Sequence, residues 1–364
     1  MDAQHVTIYR EPGRFAGWPA NYGLWAWGNE VVVGFTVGYL KAGARFHACD
    51  RDRPFVGMQA RSVDGGRTWQ AQPTPCRAPG NRGMSADEHV NPRLAIGQPD
   101  GLDNAPVPFQ GRIHFTHPEF ALMCARTGLA AGAVSWFYYS YDRCRTWEGP
   151  FALPTFGLPG VAARTDYLVA GADECTLFLT AAKSDGEEGR VFCARTTDGG
   201  RTFRFRSWIG PEPEGFAIMP ASARLSDARW LTAVRCCRRP PGGREESWID
   251  LYASDDGGAT WAYLSTPVAH LGPAGNPPAL IRLHEGRLCL AYGNRAAPCG
   301  IHARLSDDGG ATWSDPIVLR GGAGNHDIGY PRIAQRPDGV IMVAYYFNDG
   351  PGSERYIAAT LWKP

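Results

Sequence analysis

A short motif that recurs five times constrains the fold of this chain more than any other feature. It reads Ser/Thr-x-Asp-x-Gly-x-Thr-Trp/Phe, and its copies occupy residues 62–69, 140–147, 196–203, 254–261 and 306–313. The aromatic residues of successive copies are 52 to 78 residues apart, which is the length of a four-stranded unit with its loops. The spacing therefore predicts a repeat architecture in which each motif belongs to one unit.

Each copy of the motif has the chemistry of a hairpin turn. The Asp accepts hydrogen bonds from the backbone N–H groups that follow it, Gly allows a positive φ, and the Trp or Phe packs between adjacent sheets. The second copy has Cys144 where the others have Gly. That turn must either hold a non-glycine residue in the left-handed region or change its type.

The segments around the motifs alternate short β-rich runs with turn signals, so that three strands precede each motif and one follows it. We count six such units, and their innermost strands are predicted to begin near Tyr22, Ile113, Asp166, Met219, Pro278 and Tyr330. The pattern predicts an all-β fold, a six-bladed β-propeller whose blades have four antiparallel strands. One domain would span residues 1–364. The last unit has no motif, and residues 5–9 are predicted to close its blade.

The composition excludes several other classes. With 45 Gly and 29 Pro among 364 residues, a protein of long helices is disfavoured, and 44% hydrophobic with 12% aromatic residues excludes a disordered chain. A formal net charge of +1 provides no broad basic field for a nucleic acid or an anionic membrane. Anion recognition must then be local, and no protein partner is implied.

The cysteines and the first residues indicate a compartment. The ten Cys residues show no CxxC pair, and the sequence shows no basic n-region followed by an apolar stretch. We expect a reduced, cytoplasmic protein with mostly buried thiols. A secreted or periplasmic origin with the signal removed stays an alternative.

The five motifs resemble the Asp-box of the sialidase (neuraminidase) superfamily, over essentially the full chain. The resemblance implies an exo-acting glycoside hydrolase that removes a terminal acidic sugar, similar to sialic acid, from an oligosaccharide or glycoconjugate. Asp-box propellers also include polysaccharide lyases, α-L-rhamnosidase-type enzymes and non-catalytic glycan binders. These three alternative functions stay open.

Sialidases use an Asp as acid and base and a Tyr–Glu pair as nucleophile, and the resemblance places these roles on particular residues. Asp52, or its neighbour Asp50, stands in the loop that carries the acid. Tyr330 opens the innermost strand of the last unit, as the nucleophile does. Glu245 or Glu246 lies where the partner carboxylate is expected.

Sialidases also hold the substrate carboxylate with three Arg, because guanidinium groups bind carboxylates in a bidentate manner. Here Trp18 occupies the position of the first Arg, and Arg14 lies four residues earlier. This departure counts against true sialic-acid cleavage. The other residues predicted to face the substrate are Arg164, Asp166, Arg235, Arg295 and Arg332.

A second set of residues favours a rival chemistry. A His or Lys base, a Tyr proton donor and an Arg that neutralises a carboxylate are what β-elimination from a uronate requires. The candidates are Lys41, His47, His117, His326, Tyr22 and Tyr167. The His residues show no HxH or HExxH spacing, so we predict no metal and no cofactor.

Overall fold

The computed structural model describes residues 3–41, 43, 46–79, 84–85 and 105–364. These residues form six antiparallel sheets, the blades of a β-propeller, as the sequence predicted. The described ranges contain one helix, α1 (Pro19–Tyr22), of a single turn. No helix among them is long and apolar enough to cross a membrane.

The first three blades follow one another along the chain after β1 (Ala3–Tyr9). Blade 1 contains β2 (Arg14–Gly17), β3 (Gly23–Trp27), β4 (Glu30–Tyr39), β5 (Val56–Ser62) and β6 (Gln70–Pro73). Blade 2 contains β7 (Ala121–Arg126), β8 (Ser135–Ser140) and β9 (Glu148–Ala152). Blade 3 contains β10 (Val161–Ala162), β11 (Tyr167–Val169), β12 (Cys175–Ala182), β13 (Glu188–Thr196) and β14 (Arg204–Trp208).

The last three blades have four strands each. Blade 4 contains β15 (Phe216–Arg224), β16 (Trp230–Arg238), β17 (Glu246–Ser254) and β18 (Ala262–Val268). Blade 5 contains β19 (Ala279–Arg282), β20 (Leu288–Asn294), β21 (Gly300–Ser306) and β22 (Ile317–Arg320). Blade 6 contains β23 (Gly329–Gln335), β24 (Ile341–Phe347) and β25 (Tyr356–Trp362), and β1 is its fourth strand.

Both ends of the chain contribute to blade 6. β1 pairs antiparallel with β25, with Val6 opposite Ala359, and Ile8 is buried in the core between blades 6 and 1. The first strand therefore covers the outer edge of the last one, which would otherwise expose unpaired backbone groups.

The predicted start of the second blade is wrong. Ile113 lies in no strand; it is buried in the loop before β7, and its N–H donates to the Gly199 carbonyl (2.8 Å) in the turn of blade 3. A buried β-branched residue is common in strands, but here the apolar side chain is covered by a neighbouring turn. Met84 lies beside β7, where its carbonyl accepts the Arg126 N–H (3.2 Å).

The five motifs form the same turn between the last two strands of blades 1 to 5. In the first copy, Asp64 Oδ1 accepts the N–H groups of Arg67 and Thr68 (2.9 Å each), and Thr68 Oγ1 donates to Asp64 Oδ2 (2.6 Å). Cys144 takes the left-handed conformation with a φ of 64°, so its turn keeps the common geometry without Gly.

The motif aromatics join each blade to the one before it. The indole Nε1 of Trp147 donates to Gln59 in blade 1 (3.3 Å), and that of Trp261 donates to Ser207 in blade 3 (3.1 Å). Trp313 reaches Ser265 in blade 4 in the same way (3.3 Å). The repeated motif therefore specifies the contact between blades as well as a turn. Eight of the ten cysteines are buried.

Removal of β1 tests the closure of the ring. Deletion of residues 3–9 exposes the edge of β25 and the apolar surface under Ile8, so we expect Tm to fall by on the order of 10 °C. Removal of Lys363 and Pro364, which follow β25, is the matched control and should change Tm little. Thermal unfolding followed by circular dichroism measures both, and an unchanged Tm after the first deletion would contradict the closure.

Candidate functional site

The same backbone distortion occurs in the innermost strands of blades 4 and 6 and directly after β2 in blade 1. Trp18, Met219 and Tyr330 each precede a Pro and have φ values of 59°, 55° and 51°. Non-glycine residues with positive φ are uncommon, and such strain is concentrated at functional sites. The register of β15 and of β23 shifts at these positions. The distortion marks the end of the channel where blades 1, 4 and 6 meet.

Asn276 holds the distorted turn at Tyr330. Its Oδ1 accepts the Tyr330 N–H (2.8 Å), and its Nδ2 donates to the Ile328 carbonyl (2.8 Å). Gly329 has a φ of 102°, and a Cβ there would lie 2.3 Å from Asn276 Nδ2. Only Gly fits at this position, so the backbone that presents Tyr330 is fixed by a side chain from the neighbouring blade.

Six side chains from blades 1, 4, 5 and 6 surround this turn, and we call them the tyrosine cluster. They are His47, Arg235, Arg295, Asp327, Tyr330 and Tyr346.

Two arginines donate to the two tyrosines of the cluster. Arg235 Nη1 lies 3.3 Å from the Tyr330 hydroxyl, and its Nε donates to the Ala274 carbonyl (3.0 Å). Arg295 Nη2 donates to the Tyr346 hydroxyl (3.1 Å). The central carbons of the Arg235 and Arg295 guanidinium groups lie 5.9 and 5.6 Å from the centre of the Tyr330 ring.

Neither arginine has a counter-ion in the part of the chain that the structure describes. Arg235 is 6% exposed and Arg295 is 2% exposed, and no described carboxylate lies within 4 Å of either guanidinium. A buried charge is costly unless it is paired. Since both groups donate mainly to neutral oxygens, the cluster has the electrostatic character of an anion site.

Asp327 is the buried carboxylate of the cluster, and it accepts four hydrogen bonds. The donors are His47 Nδ1 (2.7 Å), the Ala48 N–H (2.9 Å), Arg355 Nε (2.8 Å) and the Tyr346 hydroxyl (2.8 Å). Burial would raise the pKa of Asp327, but His47, Arg355 and the Ala48 N–H hold that pKa well below its usual range. Burial and the nearby Asp327 charge raise the pKa of Tyr346 well above its ordinary value.

Aromatic rings fix the position of His47. Trp18 meets it edge-on (5.2 Å between ring centres), as do Phe46 (5.0 Å) and Tyr330 (6.2 Å). Trp18, which was predicted to face the substrate, is 1% exposed and packs against the His47 ring. His326 lies against Phe46 (4.6 Å), and burial and Arg295 lower its pKa.

Three other predicted residues join inner strands across the channel. Arg332 donates to the carbonyls of Ala20 and Thr165, in blades 1 and 3. Asp166 accepts a hydrogen bond from Ser222 Oγ (2.8 Å); burial raises the pKa of Asp166 to about 6, against the opposing effect of Arg332.

Arg164 pairs with Glu188 (2.6 Å) and also contacts Asn21 (3.2 Å). The cationic charge of Arg164 therefore has a carboxylate partner, unlike that of Arg235.

The predicted acids lie at the rim of blade 1. Asp50 and Asp52 share Lys41 (3.2 and 3.1 Å), and the Asp52 side chain is 77% exposed. Slight burial would raise the pKa of Asp50, but the Asp52 N–H and Lys41 lower it. No hydrogen bond between described residues joins either carboxylate to the tyrosine cluster, so their catalytic role stays a prediction. Arg14 packs over the Tyr39 ring (4.1 Å).

The two predicted glutamates differ in their surroundings. Glu245 Oε1 accepts the Ala274 N–H (2.6 Å), and the carbonyl of the same residue accepts Arg235. Glu246 pairs with Arg238 (2.7 Å) at the surface, where both side chains are half exposed. Glu245 is therefore connected to the tyrosine cluster through Ala274. Glu246 lies outside the cluster, because it pairs with Arg238 at the surface.

The repeated Asp-box turns agree with a family comparison. A family model described as a BNR repeat-like domain matches residues 104–343. The chain belongs to this family. None of the curated proteins matches its sequence.

Solved structures share the fold of this family member at low sequence identity. A protein of unknown function from Dyadobacter fermentans has a TM-score of 0.69 at 19% identity, over 99% of this chain and 98% of that one. The NanB sialidase of Streptococcus pneumoniae has a TM-score of 0.64 at 11% identity, over 98% and 70%. An α-L-arabinofuranosidase of Fusarium graminearum has a TM-score of 0.57 at 14% identity, over 99% and 98%.

Sequence reasoning missed the residues that organise the cluster: Asp327, Tyr346, Arg355 and Asn276. Asp327 stands three residues before Tyr330, and this proximity to a predicted nucleophile was the available signal. In the described ranges, no group of three or more His, Cys, Asp or Glu side chains is arranged to hold a metal ion.

The Gly329 turn gives a stability prediction. Gly329→Ala should lower the free energy of unfolding by about 3 kcal/mol or more, because the new Cβ adds a clash with Asn276 to the strain of a positive φ. Gly286→Ala is the matched control: its φ is 106°, and nothing lies within 4 Å of the added Cβ. It should lose only about 1–2 kcal/mol in urea unfolding. Equal losses would contradict the role of Asn276.

Proposed function

We propose that this protein is a glycoside hydrolase that removes a terminal, carboxylate-bearing sugar from a glycan. One observation carries the proposal: Arg235 and Arg295 are buried on either side of Tyr330 without a described counter-ion. An anionic ligand would supply the charge that the cluster lacks and would recover part of the cost of burying two cations. A sugar carboxylate has the charge and planar shape that guanidinium groups bind.

Tyr330 is the proposed nucleophile. Its position is held by the Asn276 clamp, and its hydroxyl lies 3.3 Å from Arg235 Nη1. A neutral phenol does not repel an anionic sugar as a carboxylate would, and the guanidinium stabilises the negative charge that develops on the phenolic oxygen. Positioning and charge stabilisation are thus supplied by two neighbouring side chains.

The fold likeness alone does not specify which class of sugar is the substrate. Sialidases and an arabinofuranosidase both share this fold, so the choice between acidic and neutral sugars rests on the cluster. Sialic-acid-like sugars are the first candidates because of the Tyr330–Arg235 pair. Among the described residues, two buried arginines lie beside the Tyr330 ring, and Trp18 stands where the sialidase resemblance expects a third, so a uronate is the second candidate class of terminal sugar.

A lyase acting on uronates is the second candidate function. His47 and two tyrosines lie together with Arg295 in one cluster, which supplies a base, proton donors and a cation for β-elimination. The products separate the two reactions, because elimination leaves an unsaturated uronate that absorbs in the ultraviolet and hydrolysis does not. Binding of acidic glycans without any turnover would instead indicate a glycan-binding propeller.

Variants of Arg235 test the proposal. Arg235→Ala should lower kcat/KM for a fluorogenic sialoside or glucuronide about 30-fold or more, since it removes a buried charge that pairs with the carboxylate. Arg235→Lys should keep part of the activity, because it retains the charge and loses the planar fork. Steady-state kinetics on both substrates measures the effect.

Arg238→Ala is the control for these variants. Arg238 lies on the same strand, three residues on, and pairs with Glu246 at the surface. Its kcat/KM should stay within about twofold of the unaltered protein, as exposed ion pairs contribute little. Comparable activity of Arg235→Ala and Arg238→Ala would show that the buried guanidinium does not bind the substrate.

A further inference from the structure

We propose that His47 is the general acid and base of the reaction and that Asp327 is its positioning residue. This inference rests on the proposed glycosidase function. It replaces Asp50 and Asp52, the residues to which the sialidase resemblance assigns the acid.

The loop between β4 and β5 reaches the cluster through His47. This loop also carries Asp50 and Asp52, but both of those carboxylates bind Lys41 at the rim. His47 Nδ1 instead donates to Asp327 Oδ1 (2.7 Å) and lies 3.4 Å from the Tyr346 hydroxyl. The loop predicted to supply the acid therefore brings a different proton carrier to Tyr330.

The contact with Asp327 determines which nitrogen of the His47 ring carries a proton. Because the carboxylate faces Nδ1, it favours the tautomer with a proton on Nδ1 and assigns proton exchange with the substrate to Nε2. The same carboxylate accepts the Ala48 N–H, so the backbone beside His47 is anchored as well. Trp18 packs against the ring and limits its rotation.

The charges that face His47 come from three elements. Asp327 stabilises the imidazolium form, and Arg355 and Arg295 from blades 6 and 5 oppose it. Among the described residues, the other titratable neighbours of His47 are Tyr330, Tyr346 and His326. Since the pKa of Asp327 is held low, its charge persists throughout the neutral range, and the protonation of His47 sets the pH dependence of the acid step.

The reaction balances with these groups. The phenolic oxygen of Tyr330 attacks the anomeric carbon, and the phenol proton passes to water. The bond from that carbon to the glycosidic oxygen breaks, and the oxygen keeps the electron pair and takes the proton from His47. A second water molecule then attacks the anomeric carbon and gives a proton to neutral His47, and the Tyr330 oxygen leaves and regains a proton from water.

Leaving-group dependence tests the acid role. Loss of a general acid matters most when the leaving alcohol is a poor one, so two acidic glycosides are compared: a 4-nitrophenyl glycoside and a methyl glycoside of the same sugar. His47→Gln should lower kcat at least 100-fold on the methyl glycoside and less than about 10-fold on the 4-nitrophenyl glycoside. KM should change little, and the fall in kcat at alkaline pH, where a general acid loses its proton, should disappear.

Asp327→Asn should reproduce the same pattern more weakly, provided that thermal unfolding shows a folded protein. His302→Gln is the control, because His302 lies against Tyr292 in blade 5, and it should leave both rates unchanged.

Equal losses on both substrates in His47→Gln would overturn the inference. The inference would also be overturned if Asp52→Asn, and not His47→Gln, lowered kcat far more on the methyl glycoside than on the 4-nitrophenyl glycoside. If the unaltered protein cleaves no acidic glycoside, the proposed function fails; if it does and His47→Gln behaves like the control, only the inference fails.

Discussion

The pairing of β1 with β25 sets the seam between blades 6 and 1, and the candidate site is built on that seam. Ala16 N–H donates to the Arg355 carbonyl (2.7 Å) at the start of β25, and the Arg355 side chain reaches Asp327. Asp327 in turn holds His47 from blade 1. Arg355, the residue before the partner strand of β1, therefore links the closed edge of blade 6 to the tyrosine cluster.

The tyrosine cluster lowers the stability of the folded protein. Arg235 and Arg295 are buried without a described carboxylate, and the backbone at Tyr330 is held in a conformation that non-glycine residues rarely adopt. Such features persist when the surrounding structure over-determines them, and the Asn276 clamp and the Ala274 carbonyl provide that support. The rigid sheets of the propeller supply the stability that a strained, cationic site requires.

The fold could be predicted from the sequence because the five motifs repeat a local turn chemistry, which depends on few residues. The innermost strand of blade 2 could not, because Ile113 is buried by a neighbouring turn and not by its own sheet. The sialidase resemblance suggested Tyr330, Arg235 and Arg295 as site residues. In the structure, both guanidinium groups lie within 6 Å of the centre of the Tyr330 ring. The importance of Asp327 could not be foreseen, because it depends on contacts with residues up to 280 positions away.

The central claim is that buried guanidinium groups beside Tyr330 bind a sugar carboxylate. The most direct measurement compares the affinity of the unaltered protein for an acidic monosaccharide and for its uncharged carboxamide, by titration calorimetry at constant ionic strength. Charge-assisted hydrogen bonds contribute about 1.5–3 kcal/mol, so the acid should bind about 10- to 100-fold more tightly. Equal affinity for the acid and the amide would contradict the account.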